Sequence, residues 1–545
     1  MKATRRETFS LAFGAAGALG VAAEARADSL ASLDKGGAGP TWMTGIEGQR
    51  VADLGDGRYR NPVLAGDRPD PNVLKDGEDY YATFSSFQYY PGVPIWHSRD
   101  LVHWTPVTTA LRRNIGSVWA LDIAKHEGRY FIYIPALDST NPARALKTWV
   151  IHAEDMRGPW SEPVDMRIDG FIDPGHVVGE DGKRYLFFNG GHRVRLSDDG
   201  LSAMGKVEHV YGGWPIPEDW IIEGFALEGP KLLRKDGWFY MFSGQGGTAG
   251  PPTSHMVVVA RSRSIHGPWE NCPHNPVVRT ASRAEPWWSR GHATAVEGPA
   301  GDWWLVYHGY ENGFRPLGRQ MLLEPIEWTP DGWPRALGGD LSRPLAKPVP
   351  ASSGAHGVAL SSFTADAFGT KLAFHAPKGE LARRATLDGG RLRLAGQGRG
   401  PADSSPLLFV AGDRSYEVEV EVELELEGAA QGGLLLFYNE KLFCGLGLSP
   451  GKLHAWRIGQ EERWPPGGSI ATGRLHLRAV NDEDVVTFYY SVDGRSWTKE
   501  RSFEVAGYNH NVADGFLSLR PGLYASGKGS VSFRNLTYRA RPARP

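Results

Sequence analysis

Cysteine is nearly absent from this 545-residue sequence, which contains only Cys272 and Cys444. Two cysteines so far apart exclude a disulfide-rich scaffold, and we expect both to be free thiols. Long charge runs are also lacking, since 60 Lys and Arg residues nearly balance 62 Asp and Glu residues and leave a formal net charge of −2. This balance gives no electrostatic reason to expect nucleic acid or an anionic membrane as a partner.

Helical heptads are missing as well, whereas residues typical of tight turns and aromatic surfaces are abundant. The chain has 69 glycines, 38 prolines and 19 tryptophans. This composition favours an all-β fold built from short strands. Tryptophan rings also pack well against the C–H faces of sugars, although a buried tryptophan is more often simply a core residue.

The first 27 residues have the pattern of an export signal. A basic start at residues 2–6 precedes an apolar run of small residues that ends before Glu24, and an Ala-Arg-Ala sequence follows. The run is too short to span a bilayer, so we expect cleavage after Ala27 and a periplasmic or secreted product without a membrane anchor. The paired arginines resemble a twin-arginine signal, and Sec export is the alternative.

One motif, a turn followed by an aromatic strand, recurs five times before residue 342. The copies are DGEDYYATFSS from Asp76, EGRYFIYIPA from Glu127, DGKRYLFFNGG from Asp181, DGWFYMFSGQGG from Asp236 and AGDWWLVYHGY from Ala300. Their turn glycines are 51, 54, 55 and 64 residues apart: Gly77, Gly128, Gly182, Gly237 and Gly301. Repeated units of about fifty residues with several short strands are typical of propeller blades. We therefore predict a five-bladed β-propeller over residues 28–342, since a β-sandwich does not repeat one aromatic unit at near-constant spacing.

A second motif ends in tryptophan and keeps the same phase. SRDLVHW, AEDMRGPW and SRSIHGPW end at Trp104, Trp160 and Trp269. The regular pattern then stops, and residues 343–357 are rich in Pro, Ser, Ala and Gly, as a linker is. Residues 416–427 alternate strictly between apolar and acidic side chains, which predicts a strand with one buried face. We predict that residues 358–545 form a concanavalin-like or jelly-roll β-sandwich.

Three acidic residues are not explained by ordinary turn chemistry in this pattern. Asp70 in GDRPDPN, Asp173 in GFIDPGH and Glu228 in FALEGPKLL each precede the turn glycine of a repeat by a comparable distance. A propeller would therefore bring all three to one end of its channel. Glycoside hydrolysis needs such a pair of carboxyl groups, one as acid and one as base or nucleophile. The alternative for each Asp is a turn or cap residue before proline, whereas the apolar neighbours of Glu228 suggest burial.

These acid motifs, together with FSSFQYYPGVPIWHSRDLVHW, SVWALDI, RGHATAV and LGRQMLLEPIEW, resemble glycoside hydrolase family 43, in its β-xylosidase-like branch. GLLLFYNEKLFCGLGL resembles the C-terminal sandwich of those enzymes. The resemblance implies that Asp70 is the general base, Glu228 the general acid, and Asp173 the residue that orients the acid and raises its pKa. It also implies an inverting reaction, with the base and acid about 6.5–9.5 Å apart.

The resemblance extends to residues that would contact the sugar. Arg319 in LGRQ, Trp119 in SVWALDI and Phe87 would line its pocket, although a surface strand position for Arg319 and a core position for Trp119 are the alternatives. Leu121 departs from the family pattern, in which proline is common. His292 in RGHATAV matches a histidine that coordinates calcium through waters in many members. A lone histidine is weak support for a metal, and Ca²⁺ prefers oxygen ligands, so any ion there would be structural and no cofactor would be needed for chemistry.

The predicted function is hydrolysis that removes β-D-xylosyl units from xylan-derived oligosaccharides. An α-L-arabinofuranosidase, or an enzyme with both activities, is the nearest alternative, because the two pentoses present similar hydroxyl patterns. Fructan-cleaving propellers share PDPN but typically carry Glu-Cys and Arg-Asp-Pro motifs, which this chain lacks. A non-catalytic sugar-binding propeller would not need matched acid and base groups. The expected partner is an oligosaccharide or polysaccharide, with neither nucleic acid nor membrane involved.

Overall fold

The computed structural model describes residues 41–138, 145–364, 366–378, 383–425, 428–462 and 469–542. The predicted export signal, residues 1–27, lies outside these ranges. Within them, no helix has the length and apolar character needed to cross a bilayer. Cys272 and Cys444 are both buried free thiols, as predicted.

Strands dominate the described ranges. Their α-helices are α1 (Ala367–Thr370) and α2 (His510–Ala513), and their 3-10 turns are Ile46–Gly48, Asn189–Gly191, Arg315–Leu317 and Pro401–Asp403. The chain starts with three short strands, which are β1 (Met43–Thr44), β2 (Arg50–Val51) and β3 (Arg58–Tyr59).

Five antiparallel sheets follow one another between residues 72 and 336. The first contains β4 (Asn72–Asp76), β5 (Asp79–Thr83), β7 (Gly92–Ser98) and β8 (Thr105–Leu111), with β6 (Tyr89–Tyr90) diverted elsewhere. The second contains β9 (Ser117–Val118), β10 (Asp122–His126), β11 (Arg129–Leu137), β12 (Leu146–Ala153) and β13 (Val164–Asp169). The third contains β14 (Gly175–Val178), β15 (Arg184–Phe188), β16 (His192–Leu196) and β17 (Ala203–His209).

The fourth and fifth sheets complete the set. The fourth contains β18 (Glu228–Lys235), β19 (Trp238–Gln245), β20 (Met256–Ser262), β21 (Glu270–Asn271) and β22 (Val278–Arg279). The fifth contains β23 (Trp287–Glu297), β24 (Trp303–Glu311), β25 (Arg319–Trp328) and β26 (Pro334–Ala336). Strand β27 (Leu345–Ala346) then pairs with β3.

The five sheets close into a ring, which confirms the five-bladed propeller. Strand β4 contacts β10, β10 contacts β14, β14 contacts β18, β18 contacts β23, and β23 returns to β4. A separate apolar cluster lies between each pair of neighbouring blades. Each blade therefore buries its two faces against its neighbours, and the inner strands surround a central channel.

The repeated sequence motif corresponds to the inner hairpin of each blade. All five turn glycines have a positive φ, between 63° and 80°, in the turn between the first and second strands. A side chain at such a position is strained, so glycine suits the turn. The tryptophan motif lies at the turn between the third and fourth strands of three blades, where Trp104 is completely buried.

The C-terminal region is a sandwich of two antiparallel sheets. Its strands are β28 (Ala373–His375), β29 (Ala385–Asp388), β30 (Arg391–Ala395), β31 (Leu407–Leu408), β32 (Ser415–Leu424), β33 (Gln431–Asn439), β34 (Leu442–Ser449), β35 (Lys452–Arg457), β36 (Gln460–Glu461), β37 (Arg474–Asp482), β38 (Val485–Ser491), β39 (Thr498–Glu504), β40 (Arg520–Ser526) and β41 (Ser530–Ala540). One sheet runs β36-β35-β34-β33-β40-β31-β28 and the other β29-β30-β41-β32-β37-β38-β39. The valines of β32 face the core, as the alternation predicts, but Glu421 is buried against Arg474 rather than exposed, beside a bulge in the pairing with β41.

The sandwich takes one strand from the propeller region. Strand β6 pairs with β28 and forms the edge of the first sandwich sheet. Phe87, just before β6, and Tyr89, on β6, belong to the apolar core of the sandwich. The first blade therefore carries a loop whose position depends on the C-terminal sheet.

Candidate active site

A cavity opens at the end of the propeller channel where the inner strands begin. Every residue singled out in the sequence lines it, namely Asp70, Phe87, Trp119, Asp173, Glu228, His292 and Arg319. Asp70 and Asp173 lie just before β4 and β14, and Glu228 is the first residue of β18. The ring thus brings acids from three separate blades together, as their common phase in the repeat predicts.

Asp70 is a buried carboxylate surrounded by donors. Arg319 Nη1 lies 2.7 Å from its Oδ1, and the Ser85 hydroxyl donates to its Oδ2 at 2.5 Å. His308 Nδ1 accepts the backbone N–H of Asp70 at 3.0 Å and lies 3.2 Å from Oδ1. Burial raises the pKa of Asp70, but the neighbouring groups, with the charge of Arg319 first among them, outweigh it and hold that pKa well below its usual value. Asp70 is therefore anionic at neutral pH, as a general base must be.

Asp173 and Glu228 form a second acidic pair in the cavity. Asp173 Oδ2 accepts the backbone N–H of Gly229 at 3.0 Å, which fixes it beside the strand that carries Glu228. Burial, followed by the negative charges of Glu228 and Asp70, raises the pKa of Asp173 well above its usual value. Such a pair retains a proton to higher pH than an isolated carboxyl group does.

Glu228 is less buried than its apolar neighbours suggest. Its side chain is 22% exposed to the cavity, and Phe225 is 49% exposed, so the burial expected from the sequence is wrong at this segment. Thr248 Oγ1 donates to Glu228 Oε1 at 3.3 Å, and His255 Nε2 lies 3.1 Å from the same oxygen. These contacts aim the carboxyl group into the cavity.

His255 and His308 are functional candidates that the sequence analysis missed. With His292 they form a column of buried imidazoles, with ring centroids 5.3 Å apart between His255 and His308 and 6.0 Å apart between His292 and His308. Burial lowers the pKa of His308 to about 3 and the pKa of His292 well below its usual value. His292 and His308 are thus neutral, and His308 holds Asp70 in place by accepting its backbone N–H.

Lys231 joins three inner strands behind the acids. Its ammonium donates to the carbonyl oxygens of Leu121 and Pro174, both at 2.8 Å, and to Asp122 at 3.0 Å. Leu121, which departs from the family pattern, thus takes part through its backbone. Pro174 follows Asp173 directly, so Lys231 anchors the segment that presents this carboxyl group.

The calcium prediction depends on His292. Its Nε2 is buried without a hydrogen-bond partner. In the described ranges, however, no three His, Cys, Asp or Glu side chains are grouped as metal ligands. One imidazole does not provide the oxygen ligands that Ca²⁺ prefers. The described side chains therefore do not by themselves fit the ion, which stays a prediction and has no step in the mechanism.

Aromatic side chains form the walls of the cavity. Phe87 and the half-buried Trp119 line it and also pack against the sandwich core, so the pocket and core interpretations of Trp119 both hold. The sandwich supplies one more wall residue, Phe516, which the sequence analysis missed. The Arg319 guanidinium lies between the two phenylalanines, 5.7 Å from the ring centroid of Phe87 and 5.2 Å from that of Phe516.

Comparison with known proteins agrees with this geometry. Residues 59–334 match the family model described as "Glycosyl hydrolases family 43". The chain belongs to this family. Residues 362–539 of this family 43 protein match the "Beta xylosidase C-terminal Concanavalin A-like domain", which confirms the predicted class of the sandwich.

Curated family 43 proteins that are similar to this chain are named for different activities, as two of them show. A "Xylan 1,3-beta-xylosidase" of a Vibrio species is 32% identical over 307 residues, which cover 50% of this chain and 56% of that protein. The "Non-reducing end alpha-L-arabinofuranosidase BoGH43B" of Bacteroides ovatus is 31% identical over 314 residues, which cover 54% and 55%. These alignments span about half the length of the curated relatives.

Solved structures resemble this family 43 protein over both domains. The GH43 BlXynB protein from Bacillus licheniformis has a TM-score of 0.78 and 26% identity, covering 89% of this chain and 100% of that one. The xylan beta-1,4-xylosidase from Bacillus halodurans has a TM-score of 0.76 at 22% identity, covering 88% and 99%, and shows the shared fold.

Proposed function

We propose that this protein is an inverting glycosidase that uses Asp70 as general base and Glu228 as general acid. The observation that carries the proposal is the convergence of Asp70, Asp173 and Glu228 from three blades on one cavity with aromatic walls. Glu228 would protonate the leaving oxygen, and Asp70 would take a proton from the water that attacks the opposite face of the sugar. Asp173 would position and tune the acid through the segment that ends at Gly229.

The substrate we propose is a β-D-xylosyl unit at the end of a xylan-derived oligosaccharide. Names of relatives support it, since they include a β-xylosidase of 1,3-linked xylan. An α-L-arabinofuranosidase is the second candidate, because BoGH43B bears that name at nearly the same identity. Arg319 is suited to either pentose, since its guanidinium can donate to hydroxyl groups from a fixed position between two aromatic rings.

A panel of nitrophenyl pentosides tests both the activity and the sugar. We expect the β-xyloside to be cleaved fastest, with the product anomer inverted when the reaction is followed by NMR. Retention of configuration would point to a covalent intermediate and remove Asp70 from its role as base. Saturable binding of xylo-oligosaccharides with no hydrolysis would instead support the non-catalytic sugar-binding protein.

The variant Glu228→Gln tests whether Glu228 is the general acid or only a structural residue. Loss of general-acid catalysis costs roughly 10²–10⁴-fold in rate, and the loss should be larger for xylobiose than for nitrophenyl xyloside, because nitrophenolate leaves without protonation. Glu270→Gln is the matched control, since Glu270 lies on β21 of the same blade, far along the sheet from the cavity. Equal losses on the two substrates, or wild-type activity, would remove Glu228 from the mechanism.

We also propose that the protein is exported. The support is the basic start, the short apolar run and the small-residue cleavage site in residues 1–27. Fractionation of cells that produce the full chain, with N-terminal sequencing of the product, tests it. We expect a product outside the cytoplasm that begins at Asp28, and an uncleaved cytoplasmic product would contradict the proposal.

A further inference from the structure

A second cavity, partly open to solvent, lies between the first blade and the sandwich. The first blade contributes Phe84, Pro94 and Trp96, and the sandwich region contributes Leu360, Leu372 and Val410. None of these residues lines the active-site cavity. Neither the catalytic proposal nor the family comparison gives this space a role.

Arg68 is the charged group that this cavity leaves unneutralised. Its guanidinium lies 4.9 Å from the ring centroid of Trp96 and 5.9 Å from that of Phe84. Nη1 donates to the carbonyl oxygen of Asp67 at 2.9 Å, whereas Nε is buried without a partner. In the part of the chain that the structure describes, no carboxylate forms an ion pair with Arg68.

The carboxylate nearest in sequence is already committed to other groups. Asp67 Oδ2 accepts from Arg520 at 2.8 Å, and Oδ1 faces the backbone N–H of Arg319 at 3.3 Å. Lys371, a third cation of the lining, donates to the carbonyl oxygens of Ser361 and Ser362. Asp67 is thus the carboxylate of the lining and is paired with Arg520, whereas Glu47 and Asp366, outside the lining, act on Lys371. Arg68 is the cation of the lining that has no counter-ion among the described residues.

The electrostatic setting of Arg68 agrees with a missing partner. Burial, and after it the positive charge of Arg520, lower the pKa of Arg68 to about 10. The side chain is still protonated at neutral pH, so the cavity holds a half-buried cation. Burying a charge without a partner is costly, and an anion that enters the cavity would recover part of that cost.

The remaining lining sets the shape and polarity of such an anion. Trp96, Leu360 and Val410 present apolar surface next to the guanidinium, and the half-buried Thr109 and Thr370 lie on the lining where solvent reaches it. A pocket with apolar walls and a few convergent polar groups, here with the unpaired Arg68 among them, is typical of a site for a small organic ligand. A strongly hydrated anion such as inorganic phosphate would leave this apolar surface unused.

We propose that this cavity is a binding site for a small organic carboxylate. The carboxylate group pairs with the Arg68 guanidinium, and the apolar body packs against Trp96, Leu360 and Val410. The arrangement follows the preference of arginine for bidentate contacts with carboxylates. The site is separate from the sugar pocket, so the proposal stands whether or not the proposed glycosidase activity is found.

Isothermal titration calorimetry of the full chain with benzoate tests the proposal. We expect saturable binding of one benzoate per chain. Benzyl alcohol lacks the charge, inorganic phosphate lacks the apolar body, and glucuronate has a polar body. All three should therefore bind much more weakly than benzoate. Equal binding of phosphate or glucuronate would overturn the apolar part of the proposal. Absence of benzoate binding would overturn the whole proposal. It would mean that bridging water, and not an organic anion, satisfies Arg68.

Three variants test whether benzoate binds in this cavity or in the sugar pocket. Arg68→Met should weaken benzoate binding by roughly tenfold or more, since it removes a charged hydrogen-bond donor. Arg319→Met is the matched control, because Arg319 is also a buried arginine between aromatic rings but lines the active site. Thr109→Trp keeps Arg68 and fills the cavity from the solvent side, so it should block binding even if Arg68→Met disturbs folding. Unchanged affinity in Thr109→Trp, or a larger loss in Arg319→Met, would overturn the assignment.

Discussion

Three residues of the active site have left-handed backbone conformations that glycine would adopt more easily. The φ angles are 55° for Asp70, 58° for Asp173 and 58° for His292. Asp tolerates this region better than most residues, but each such position still costs about 1–3 kcal/mol when a side chain is present. The turn interpretation of the two Asp-Pro sequences is therefore compatible with catalysis, because the same tight backbone that suits a turn aims both carboxyl groups into the channel.

Arg319 controls the protonation of Asp70, so its removal should change the pH dependence of the reaction. A base must be ionised, and a pKa held well below the usual value keeps Asp70 ionised into acidic solution. Arg319→Met removes the main opposing charge, so the pKa of Asp70 rises and the acidic limb of kcat/KM moves to higher pH. Arg319→Lys, which keeps the charge, should move it less. An acidic limb in the same position in all three proteins would contradict the role of Arg319.

Removal of the Asp173 carboxyl group should change the basic limb of the pH profile of kcat/KM. Asp173→Asn removes one of the two carboxyl groups whose mutual repulsion keeps a proton on the pair, so the basic limb of kcat/KM moves to lower pH. We expect kcat to fall roughly 10²-fold, within the range for loss of acid–base assistance. Measurement of kcat/KM between pH 4 and 9 would check this, and a fall in kcat with an unchanged basic limb would indicate a purely structural residue.

The catalytic acids could be predicted from the sequence, but their imidazole neighbours could not. Asp70, Asp173 and Glu228 share a phase in a visible repeat, so closure of the ring was enough to bring them together. His255 lies at the edge of an apolar strand and His308 within an aromatic one, where a single histidine resembles a core residue. Only the packing of the blades shows that His255 lies next to Glu228 and His308 next to Asp70.

At the scale of elements, the loop from α2 to Phe516 connects the sandwich to the sugar pocket. The backbone N–H of Phe516 donates to His510 Nδ1 at 3.0 Å, and the two rings stack with centroids 4.0 Å apart. Asn511 Oδ1 accepts from Arg315 of the fifth blade at 2.9 Å. The loop is therefore held by its own stacking and by the propeller, and it presents a rigid aromatic ring to the cavity.

Phe516→Ala should weaken substrate binding more than it slows chemistry. Loss of one aromatic wall from a sugar pocket corresponds to a KM increase of about tenfold, with a smaller change in kcat. Val512→Ala is the matched control, since Val512 is on α2 of the same loop and is 67% exposed. Steady-state kinetics with a β-xyloside would show the difference, and equal KM values for both variants would mean that Phe516 does not contact the sugar.

Sequence periodicity revealed the blades because each inner hairpin is local, with its turn glycine between adjacent strands. The diversion of β6 into the sandwich sheet is different, since Tyr89 and Tyr90 pair with residues nearly three hundred positions away. Pairing at that separation leaves no pattern in a single sequence. The apolar segment around Phe87 was therefore predicted to line the sugar pocket, whereas its contact with the sandwich core appears only in the structure. The proposed linker and domain boundaries stay predictions.

At the scale of the whole molecule, one buried ion cluster joins the propeller to the sandwich. Glu311, at the end of β24, accepts from Arg50 at 3.0 and 2.8 Å and from Arg414, just before β32, at 3.0 and 2.7 Å. Gln320 Nε2 donates to the same carboxylate at 2.8 Å. Burial raises the pKa of Glu311, but the two arginines outweigh it and lower that pKa to about 2.

This cluster makes stability depend on acidity in a defined pH window. Because the pKa of Glu311 is lower in the folded protein than in the unfolded chain, its contribution to the free energy of unfolding is complete above about pH 4.5 and is lost as the pH falls towards 2. The shift corresponds to roughly 3 kcal/mol. Thermal unfolding followed by circular dichroism at several pH values should show the wild-type Tm falling across this window.

Glu311→Gln should flatten that dependence. At pH 7 the variant leaves the buried Arg50 and the half-buried Arg414 without the Glu311 carboxylate. It should therefore be less stable than the wild type by about 3 kcal/mol, with the difference shrinking as the pH falls towards 2. Glu327→Gln breaks an exposed pair with Arg335 and should change stability by less than about 1 kcal/mol at any pH. If both variants kept the wild-type slope between pH 4.5 and 2, the acid sensitivity would belong to other carboxyl groups, and the junction between propeller and sandwich would not depend on Glu311.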